Sequence, residues 1–410
     1  MKQILLFQIL LIFLITFLNS FQFKFKNENE FDWIQKQILI ANDGKVGEIF
    51  GYSLDMKANY CVIGSPYSTV GNNSQQGKAY IYENNGTNWD LIQILIANDG
   101  KASDYFGTSV SISNDGKFIL IGSPYAKVGN NSEQGKAYIF QNNGTNWNQK
   151  QILIANDGNT FDNFGLSISI SNDDSLILIG SPYSNVGNNI QQGKAYIFQN
   201  NGTFWNQYQI LIANDGKDYD FFAISVSISN DFALIGAYWA DVGNNIQQGK
   251  AYIFQNNGTF WNQHQILIAN DGGFDDQFGR SVSFSNDSSL ILISAPNSNV
   301  GENEKQGKAY IFQNNGTFWN QKQILIANDG NTFDQFGLSI SISNDSSLIL
   351  IGSPYAPVFG NNTQGKAYIF QNNGTFWNQI QILIANDGEA GNFFGTNNID
   401  QGKAYIFEPF

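Results

Sequence analysis

The stretch Trp89–Gly100, WDLIQILIANDG, decides the fold because the chain repeats it in seven copies. The tryptophans that open the copies are Trp33, Trp89, Trp147, Trp205, Trp261, Trp319 and Trp377. The glycines that close them are Gly44, Gly100, Gly158, Gly216, Gly272, Gly330 and Gly388, so both the length of the phrase and the period between copies are almost constant. Self-similarity at one period indicates a repeat architecture, in which each unit packs on its neighbours.

Each period divides into four strand-like runs separated by turn residues. In the second copy the runs are Phe106–Ser113, Phe118–Ile121, Lys136–Phe140 and Gln151–Ala155. The second, third and fourth runs are almost continuously apolar, which predicts strands buried on both faces. The serine-rich first run suits an innermost strand, where neighbouring units crowd. Four antiparallel strands per unit, with the units stacked face to face, predict a β-propeller.

The phase of the repeat at its two ends predicts a closed ring. Phe31–Ala41 has the pattern of a fourth strand with no three strands before it, and Gly402–Phe407 that of a third strand with no fourth after it. Joining the two completes a blade and removes the exposed edges of an open array. We therefore predict an all-β, seven-bladed β-propeller of four-stranded antiparallel blades, with the last blade closed by the N- and C-terminal strands.

The seventh blade is expected to be truncated. The stretch from Gly395 to Gln401 is far shorter than the equivalent stretch of the sixth copy, which runs from Gly337 to Gln364. About one hairpin is missing, so either the ring closes with a stunted blade or the gene model has lost a segment. The predicted organisation is a signal peptide at 1–20, a short polar lead at 21–30 and a single propeller at 31–410.

Composition and the N-terminus favour a secreted protein. The chain has 410 residues, and its 21 basic and 34 acidic side chains give a net charge of −13. This charge argues against nucleic acid or an anionic membrane surface as partner. Lys2 followed by the apolar run Ile4–Leu18 is typical of a signal peptide, and the run is shorter than the ~20 residues of a membrane span. A signal anchor that holds the protein at the cell surface is the alternative; no later segment has the length of a transmembrane segment.

Two short elements accompany the repeat: a Phe-Gly pair at the start of the first run and a Gly-Ser-Pro-like triplet after the second. The pairs begin at Phe50, Phe106, Phe164, Phe278, Phe336 and Phe394, with Phe222-Ala223 as a weaker copy, and the triplets begin at Gly64, Gly122, Gly180, Gly236, Ser294 and Gly352. With these elements the chain from Phe31 to Phe410 resembles the FG-GAP repeat family. The best-known members form the seven-bladed propeller at the N-terminus of integrin α subunits, and this sequence is closer to the secreted FG-GAP propellers of microbes.

The resemblance implies ligand binding at the propeller end that carries the loops between strands two and three and between strands four and one. At that end the sequence places a candidate ligand face of aromatic residues: Tyr67, Tyr125, Tyr183, Trp239 and Tyr355, with Asn297 in the remaining blade. Aromatic side chains beside acids form plausible contact surfaces. The alternative is that these rings pack onto the adjacent loops.

Metal binding is not carried over from integrins. Ca²⁺ takes 6–8 oxygen ligands, and the turns at 114–116 and 172–174 are too short to supply them. Zinc is excluded by ligand count, since His264 and Cys61 are the only residues of their types. We predict no metal and no other cofactor.

Acidic pairs recur at the closing phrase. They are Asp99 with Asp104, Asp157 with Asp162, Asp215 with Asp220, Asp271 with Asp276, and Asp329 with Asp334. Metal binding and paired-carboxylate acid/base chemistry are functional interpretations. A pair in nearly every blade favours a structural role in the turns, because a catalytic pair is needed once.

Glycosylation sequons stand at the predicted tips between strands three and four. The Asn-Gly-Thr asparagines are Asn85, Asn143, Asn201, Asn257, Asn315 and Asn373. They predict a glycoprotein with its sugars on the end opposite the aromatic residues. Asn-Gly is also a favoured turn dipeptide, so the sequons are alternatively incidental.

Catalysis has few candidates. His264 occupies a position filled by Lys150, Tyr208, Lys322 and Ile380 in other copies, which indicates a tolerant surface site, and Cys61 lies in an apolar run typical of a buried thiol.

We expect a non-enzymatic, secreted or cell-surface binding or adhesion scaffold for an unknown extracellular protein or glycan. One alternative is a polysaccharide lyase or hydrolase using Trp239, Asp218 and Asp220 of the divergent fourth blade; another is a self-associating cell-coat protein.

Overall fold

The computed structural model describes residues 32–358, 363–388 and 402–409, and every regular element within them is a β-strand. The predicted signal peptide and polar lead and the Phe394-Gly395 pair lie outside these residues. The all-β class predicted from the repeat is therefore confirmed for the part of the chain that the structure describes.

Six sheets contain four antiparallel strands each, ordered as they follow one another along the chain. The strands are β2–β5 in blade 1 (Ser53–Lys57, Tyr60–Ser65, Lys78–Asn84, Trp89–Leu95), β6–β9 in blade 2 (Ser109–Ile112, Phe118–Ser123, Lys136–Asn142, Trp147–Leu153), β10–β13 in blade 3 (Ser167–Ile170, Leu176–Ser181, Lys194–Asn200, Trp205–Leu211), β14–β17 in blade 4 (Ser225–Ile228, Phe232–Ala237, Lys250–Asn256, Trp261–Leu267), β18–β21 in blade 5 (Val282–Phe284, Leu290–Ala295, Lys308–Asn314, Trp319–Leu325) and β22–β25 in blade 6 (Ser339–Ile342, Leu348–Ser353, Lys366–Asn372, Trp377–Leu383). These six units are the four-stranded blades of a β-propeller.

The prediction of seven four-stranded blades is corrected to six. Among the described residues the remaining copy forms a two-stranded sheet of β1 (Trp33–Leu39) and β26 (Ala404–Pro409), which pair antiparallel with Trp33 opposite Pro409. The pairing of the first and last strands was expected from the phase of the repeat. The stretch from Gly395 to Gln401 lies outside the described residues, and by sequence it is shorter than the hairpin formed by the first two strands of a complete blade.

Burial follows the position of each strand within its blade. The second and third strands are buried along most of their length, as β7 shows at every position. The prediction that the fourth strand is equally buried is wrong: β5 is buried only at its two ends, and between them exposed side chains alternate with half-buried ones. The fourth strand is the outer edge of each blade, so only one of its faces meets a neighbouring blade.

Adjacent blades approach so closely at two glycines that a side chain would not fit. A Cβ atom on Gly122 in β7 would lie 2.0 Å from the carbonyl oxygen of Gly165, and one on Gly135 would lie 2.1 Å from that of Phe164. Gly135 also has φ of +91°, a conformation that favours glycine. The Phe-Gly pair of one blade therefore packs its backbone against the glycines of the preceding blade.

A glutamine side chain clamps the backbone of the next blade at each junction. Gln151 Nε2 donates to the carbonyl of Trp205 at 2.7 Å, and the Trp205 N–H donates to Gln151 Oε1 at 2.9 Å. The seven clamps are Gln37–Trp89, Gln93–Trp147, Gln151–Trp205, Gln209–Trp261, Gln265–Trp319, Gln323–Trp377 and Gln381–Trp33. The last of these joins blade 6 to the two-stranded sheet.

We expect Gly122→Ala to destabilise the protein by about 1–3 kcal/mol or more, because the new methyl group would overlap the backbone of the next blade. The measurement is the free energy of unfolding in urea. Gly129→Asn is the control, since Gly129 has open space around its Cβ position and asparagine tolerates its φ of +58°. Equal losses in the two variants would contradict the proposed close packing.

We expect Gln381→Leu to cost about 1–3 kcal/mol, because the N–H and carbonyl of Trp33 lose their partner. Amide hydrogen exchange should then accelerate in β1 and β26 before the other strands. Gln151→Leu makes the same change between two complete blades and is expected to leave the exchange of β1 and β26 unaltered. The same exchange pattern in both variants would rule out a special role for the closing junction.

Candidate functional site

The antiparallel order of the strands separates the loops into two ends. Loops from strand two to strand three and from strand four to the next blade lie together, and we call this the aromatic end. Turns from strand one to strand two and from strand three to strand four lie at the opposite end, which we call the tip end. Because the blades repeat, each residue type recurs at the same height around the ring.

The aromatic end of blades 1 and 2 contains a chain of four tyrosines. Tyr67 and Tyr125, both predicted at the ligand face, pack from either side on Tyr105, with ring centroids 5.1 and 4.9 Å away. Tyr52 follows next to Tyr67 at 6.2 Å. All four rings are half-buried, so they contact the neighbouring loop and also keep accessible surface.

A second aromatic cluster joins blades 3 and 4. Phe221 is buried and contacts Tyr183 at 5.2 Å, Trp239 at 4.9 Å and Tyr238 at 5.9 Å between ring centroids. The guanidinium of Arg280 from the next blade lies 4.9 Å from the centre of the Tyr238 ring. A cation over an aromatic face is attractive, and it brings positive charge to this end of an acidic protein.

The remaining predicted positions extend the aromatic end to blades 5 and 6. Tyr355 is half-buried, and burial raises its pKa to about 12 against an opposing effect of Arg280. Asn297 is buried and accepts a hydrogen bond from Gln335 Nε2 at 3.2 Å. The residues predicted for the ligand face thus all lie at the aromatic end, where blades 1 to 4 and 6 contribute aromatic side chains and blade 5 contributes Asn297.

Sequence reasoning missed several members of this end. Tyr105 and Phe221 directly precede the Phe-Gly position, and Tyr52 and Arg280 directly follow it. The residues at these positions differ among the copies, whereas the Phe-Gly pair between them is retained. This variation beside a retained pair was the sequence signal that could have identified them. Arg280 is also the only arginine in the chain.

The first acid of each predicted pair bridges two blades. Asp99, after β5, accepts hydrogen bonds from Lys136 Nζ at 2.6 Å and Tyr138 Oη at 3.0 Å, both on β8. Although burial opposes ionisation, these bonds hold the pKa of Asp99 below its ordinary value. The ion pairs are Lys78–Asp43, Lys136–Asp99, Lys194–Asp157, Lys250–Asp215, Lys308–Asp271, Lys366–Asp329 and Lys403–Asp387.

The second acid is buried and bonds the backbone of its own loop. Asp104 Oδ2 accepts from the N–H of Lys101 at 2.8 Å, and burial raises its pKa. The same raised pKa is found at Asp162, Asp220, Asp276 and Asp334. The two acids of a pair have separate partners, which supports the structural interpretation.

A cavity of about 160 Å³ lies on the propeller axis. Its wall includes one position of the first strand in all six blades, occupied by Asp55, Ser111, Ser169, Ser227, Ser283 and Ser341. Asp55 Oδ2 accepts the N–H of Ile112 at 2.9 Å, and burial raises the Asp55 pKa. At the tip end Lys57 Nζ donates to Asn344 Oδ1 at 2.9 Å, joining blade 1 to blade 6.

His264 is the extra residue of a β-bulge. Ile253 pairs with Gln265 and Phe254 with Gln263, which leaves His264 unpaired on the outer strand. The same bulge recurs in the other complete blades, so this position is free to vary. Cys61 is buried, and burial raises the pKa of its thiol, which disfavours the reactive thiolate.

The predicted sequon asparagines lie in the tips. Asn143 Oδ1 accepts the N–H groups of Thr145 and Asn146 at 3.0 and 2.9 Å. Asn201, Asn257, Asn315 and Asn373 make the same turn, as does Asn85, whose Nδ2 also donates to Asp90. That these asparagines carry glycans stays a prediction.

Within residues 32–358, 363–388 and 402–409, no group of three or more His, Cys, Asp or Glu side chains is arranged to hold a metal ion. The same residues include no helix with the length and apolarity to cross a membrane.

Comparison with known families agrees with this repeated geometry. The FG-GAP repeat profile matches six segments that together make up most of the sequence: residues 33–82, 89–140, 147–198, 205–254, 261–312 and 319–370. The chain belongs to the FG-GAP repeat family. Each match in this FG-GAP protein starts at the tryptophan of a fourth strand and ends in the third strand of the next blade. No curated protein sequence matches the chain significantly.

The pKa of Asp220 gives the stability of the protein a pH dependence of defined sign. Burial raises it from 3.8 to about 6, so the folded state binds this proton more tightly and the contribution of Asp220 falls as pH rises between these values. Asp220→Asn removes the titration. The melting temperature of the variant relative to wild type should therefore increase from pH 4 to pH 6.

Asp215→Asn is the control with the opposite sign. Burial opposes ionisation of Asp215, but Lys250 at 2.7 Å holds its pKa below the ordinary value. This variant should be less stable than wild type at neutral pH and approach it only as pH falls below about 4. Parallel pH profiles for the two variants would contradict the opposite shifts.

Proposed function

We propose that this FG-GAP protein is a secreted or cell-surface binding scaffold that contacts an extracellular protein or glycan through its aromatic end. The observation that carries the proposal is the cluster of Tyr183, Phe221, Tyr238 and Trp239 beside Arg280. Tyrosine, tryptophan and arginine are the residue types enriched in binding hot spots. They stand here in loops on a rigid ring, the usual placement of binding residues.

The two-stranded sheet is proposed to be the shortened seventh blade. Its junction with blade 6 uses the same clamp, Gln381 with Trp33, and the same ion pair, Lys403 with Asp387, as the junctions between complete blades. On its other side a Cβ atom on Gly402 would lie 2.1 Å from the carbonyl oxygen of Phe50. The closing sheet therefore contacts both of its neighbours through the same kinds of interaction as join complete blades.

We propose that the protein binds its partner without catalysing a reaction, because the side chains that could react lie apart from one another. His264 is on the outer wall and Cys61 is in the core. The residues of the lyase or hydrolase alternative have separate contacts: Trp239 on Phe221, Asp218 with the N–H of Ile190 at 2.7 Å, and Asp220 with the N–H of Lys217 at 2.8 Å. This arrangement favours a structural role for each.

Residues 21–410, screened on a glycan array and used to capture secreted proteins, are expected to bind a partner that is not chemically altered. The double variant Tyr183→Ala and Arg280→Ala should weaken binding by roughly tenfold or more, since loss of one hot-spot side chain costs about 2 kcal/mol or more. Tyr208→Ala on the outer wall is the matched control and should bind as wild type does. Affinity measured by biolayer interferometry distinguishes them.

If the double variant and Tyr208→Ala bind the partner with equal affinity, the ligand site does not lie at the aromatic end. If the protein releases cleaved sugar from a bound polymer, the scaffold proposal is wrong and the lyase or hydrolase alternative is correct. The melting temperature of each variant is measured as well, because it shows whether the variant has kept its fold.

A further inference from the structure

The innermost strand of blade 1 differs from the other copies at two positions. Blades 2 to 6 have a serine at both of them, as Ser111 and Ser113 show in blade 2, whereas blade 1 has Asp55 and Lys57. Both replacements are charged, and their charges have opposite signs. Because the copies are otherwise so similar, this pair of charges indicates a role in blade 1 that the repeat itself does not have.

The two charges border the cavity on the propeller axis. Asp55 and Lys57 both line it and both keep accessible surface. They are two residues apart on β2, so they lie on the same side of the strand with about 6–7 Å between their backbone positions. Among the described residues that line the cavity, they are the only ionisable ones. The wall therefore has one negative and one positive group in a ring of hydroxyls and amides.

The contact between blades does not require the charge of Asp55. Asp55 Oδ2 accepts the N–H of Ile112 in the next blade at 2.9 Å. In blade 3 the equivalent residue, Ser169, accepts the N–H of Ile228 in the next blade at 3.2 Å. A serine thus makes the same bond, without the cost of placing a carboxylate where burial raises its pKa. The charge of Asp55 calls for an explanation other than the fold.

The carboxylate of Asp55 can accept one more hydrogen bond from the cavity. Its Oδ1 accepts the N–H of Met56 at 2.8 Å, its Oδ2 accepts that of Ile112, and Ser111 also bonds to it. An ionised carboxylate has about four sites for hydrogen-bond donors. An ammonium group in the cavity would use the remaining site and neutralise the buried charge.

Lys57 and the serines supply donors to the same cavity. Lys57 Nζ directs one of its three N–H groups to Asn344 Oδ1 at 2.9 Å, its one hydrogen bond within the described residues. The Ser169 hydroxyl, an acceptor towards Ile228, keeps its own proton to donate. A carboxylate group in the cavity would accept from both types of donor.

The volume of the cavity sets the size of a ligand. It is about 160 Å³, and a cavity of about 150 Å³ holds one benzene molecule, which has about six non-hydrogen atoms. Alanine and glycerol have this size. A sugar ring or a nucleotide is too large, so the cavity fits a small polar molecule.

The charges around the cavity determine which small molecule fits. The turns between the first and second strands carry acids at the tip end: Asp115, Asp173, Asp174, Asp231, Asp287 and Asp345. These acids repel a net anion, and Lys57 repels a simple cation. A neutral molecule such as glycerol would leave both charges of the wall without an ionic partner. A molecule with zero net charge and one group of each sign matches both Asp55 and Lys57.

We propose that the axial cavity binds a small zwitterion, a free α-amino acid about the size of alanine. Its ammonium group bonds to Asp55, and its carboxylate bonds to Lys57 and the serine hydroxyls. The two ends of an α-amino acid are close enough to be held by side chains from neighbouring positions on one side of a strand. Hydrogen bonds between charged groups are the strong ones, and both lie here away from bulk water. This site is separate from the ligand face at the aromatic end.

The test is isothermal titration calorimetry of the purified protein with L-alanine. Propionate and ethylamine are the matched half-ligands, because each has the carbon chain of alanine with only one of its two charged groups. Each should bind at least about tenfold more weakly than alanine, since a hydrogen bond between charged groups is lost. L-Tryptophan, which exceeds the cavity in size, should not bind.

The variant Asp55→Ser installs the residue that the other blades have at this position, so it should fold. We expect it to bind alanine at least about tenfold more weakly than wild type, and Lys57→Ser to do the same. Asp231→Ser is the matched control, because it removes a carboxylate at the tip end from a residue that does not line the cavity. This control should bind alanine as wild type does. Melting temperatures show whether each variant is folded.

Four results would overturn the proposal. The first is no binding of alanine to the wild-type protein, and the second is equal affinity of wild type and a folded Asp55→Ser variant. The third is propionate or ethylamine binding as tightly as alanine, which would make the cavity a site for a simple ion. The fourth is a crystal structure at saturating alanine in which the cavity holds water alone. None of these bears on the ligand of the aromatic end, which is measured without amino acids.

Discussion

The ring depends on the distance at which neighbouring backbones meet. Where the carbonyl of Gly165 faces Gly122, no Cβ atom fits between them, so blades 2 and 3 meet with backbone in contact. Gly64, Gly180 and Gly236 are equally close to the following blade, and blade 5 has Ser294 at this position. This approach brings the glutamine clamps and the Lys–Asp bridges within hydrogen-bonding distance. The close-packed glycines, the glutamine clamps and the Lys–Asp bridges are parts of a single junction between neighbouring blades.

That junction explains which residues vary and which do not. Phe106 is fixed because it is fully buried against Tyr138 and Phe140 of its own blade. The neighbouring Tyr105 also reaches the preceding blade, but its side chain is only half-buried, so the corresponding residue of another blade can be asparagine or glutamine. Both ends of the ring are thus free to acquire surface chemistry on an unchanged frame. One end has acquired aromatic rings around a cation, and the other exposed phenylalanines such as Phe204 and Phe260.

Much of the fold could be predicted from periodicity, because a repeat fixes the number and order of strands in each complete blade and the pairing of the first strand with the last. The burial of the fourth strand was misjudged, since a run such as Gln151–Ala155 contains apolar residues whether one face or two is covered. The site was predictable only in part: topology assigned Tyr67 and Tyr183 to one end of the ring. Their partners Tyr105 and Phe221 come from the following blade, so these contacts exist only once two blades are docked. One repeat, considered alone, does not contain them.

The pairing of Trp33 with Pro409 has a mechanical consequence. The two strands of the closing sheet leave the ring side by side, so tension applied to both would peel them apart one hydrogen bond after another. Tension applied through the N-terminal segment alone pulls β1 along its own axis, against β26 and the Gln381 clamp together, and several bonds must then fail at once. A propeller tethered by that segment resists drag far better than one stretched between its two termini.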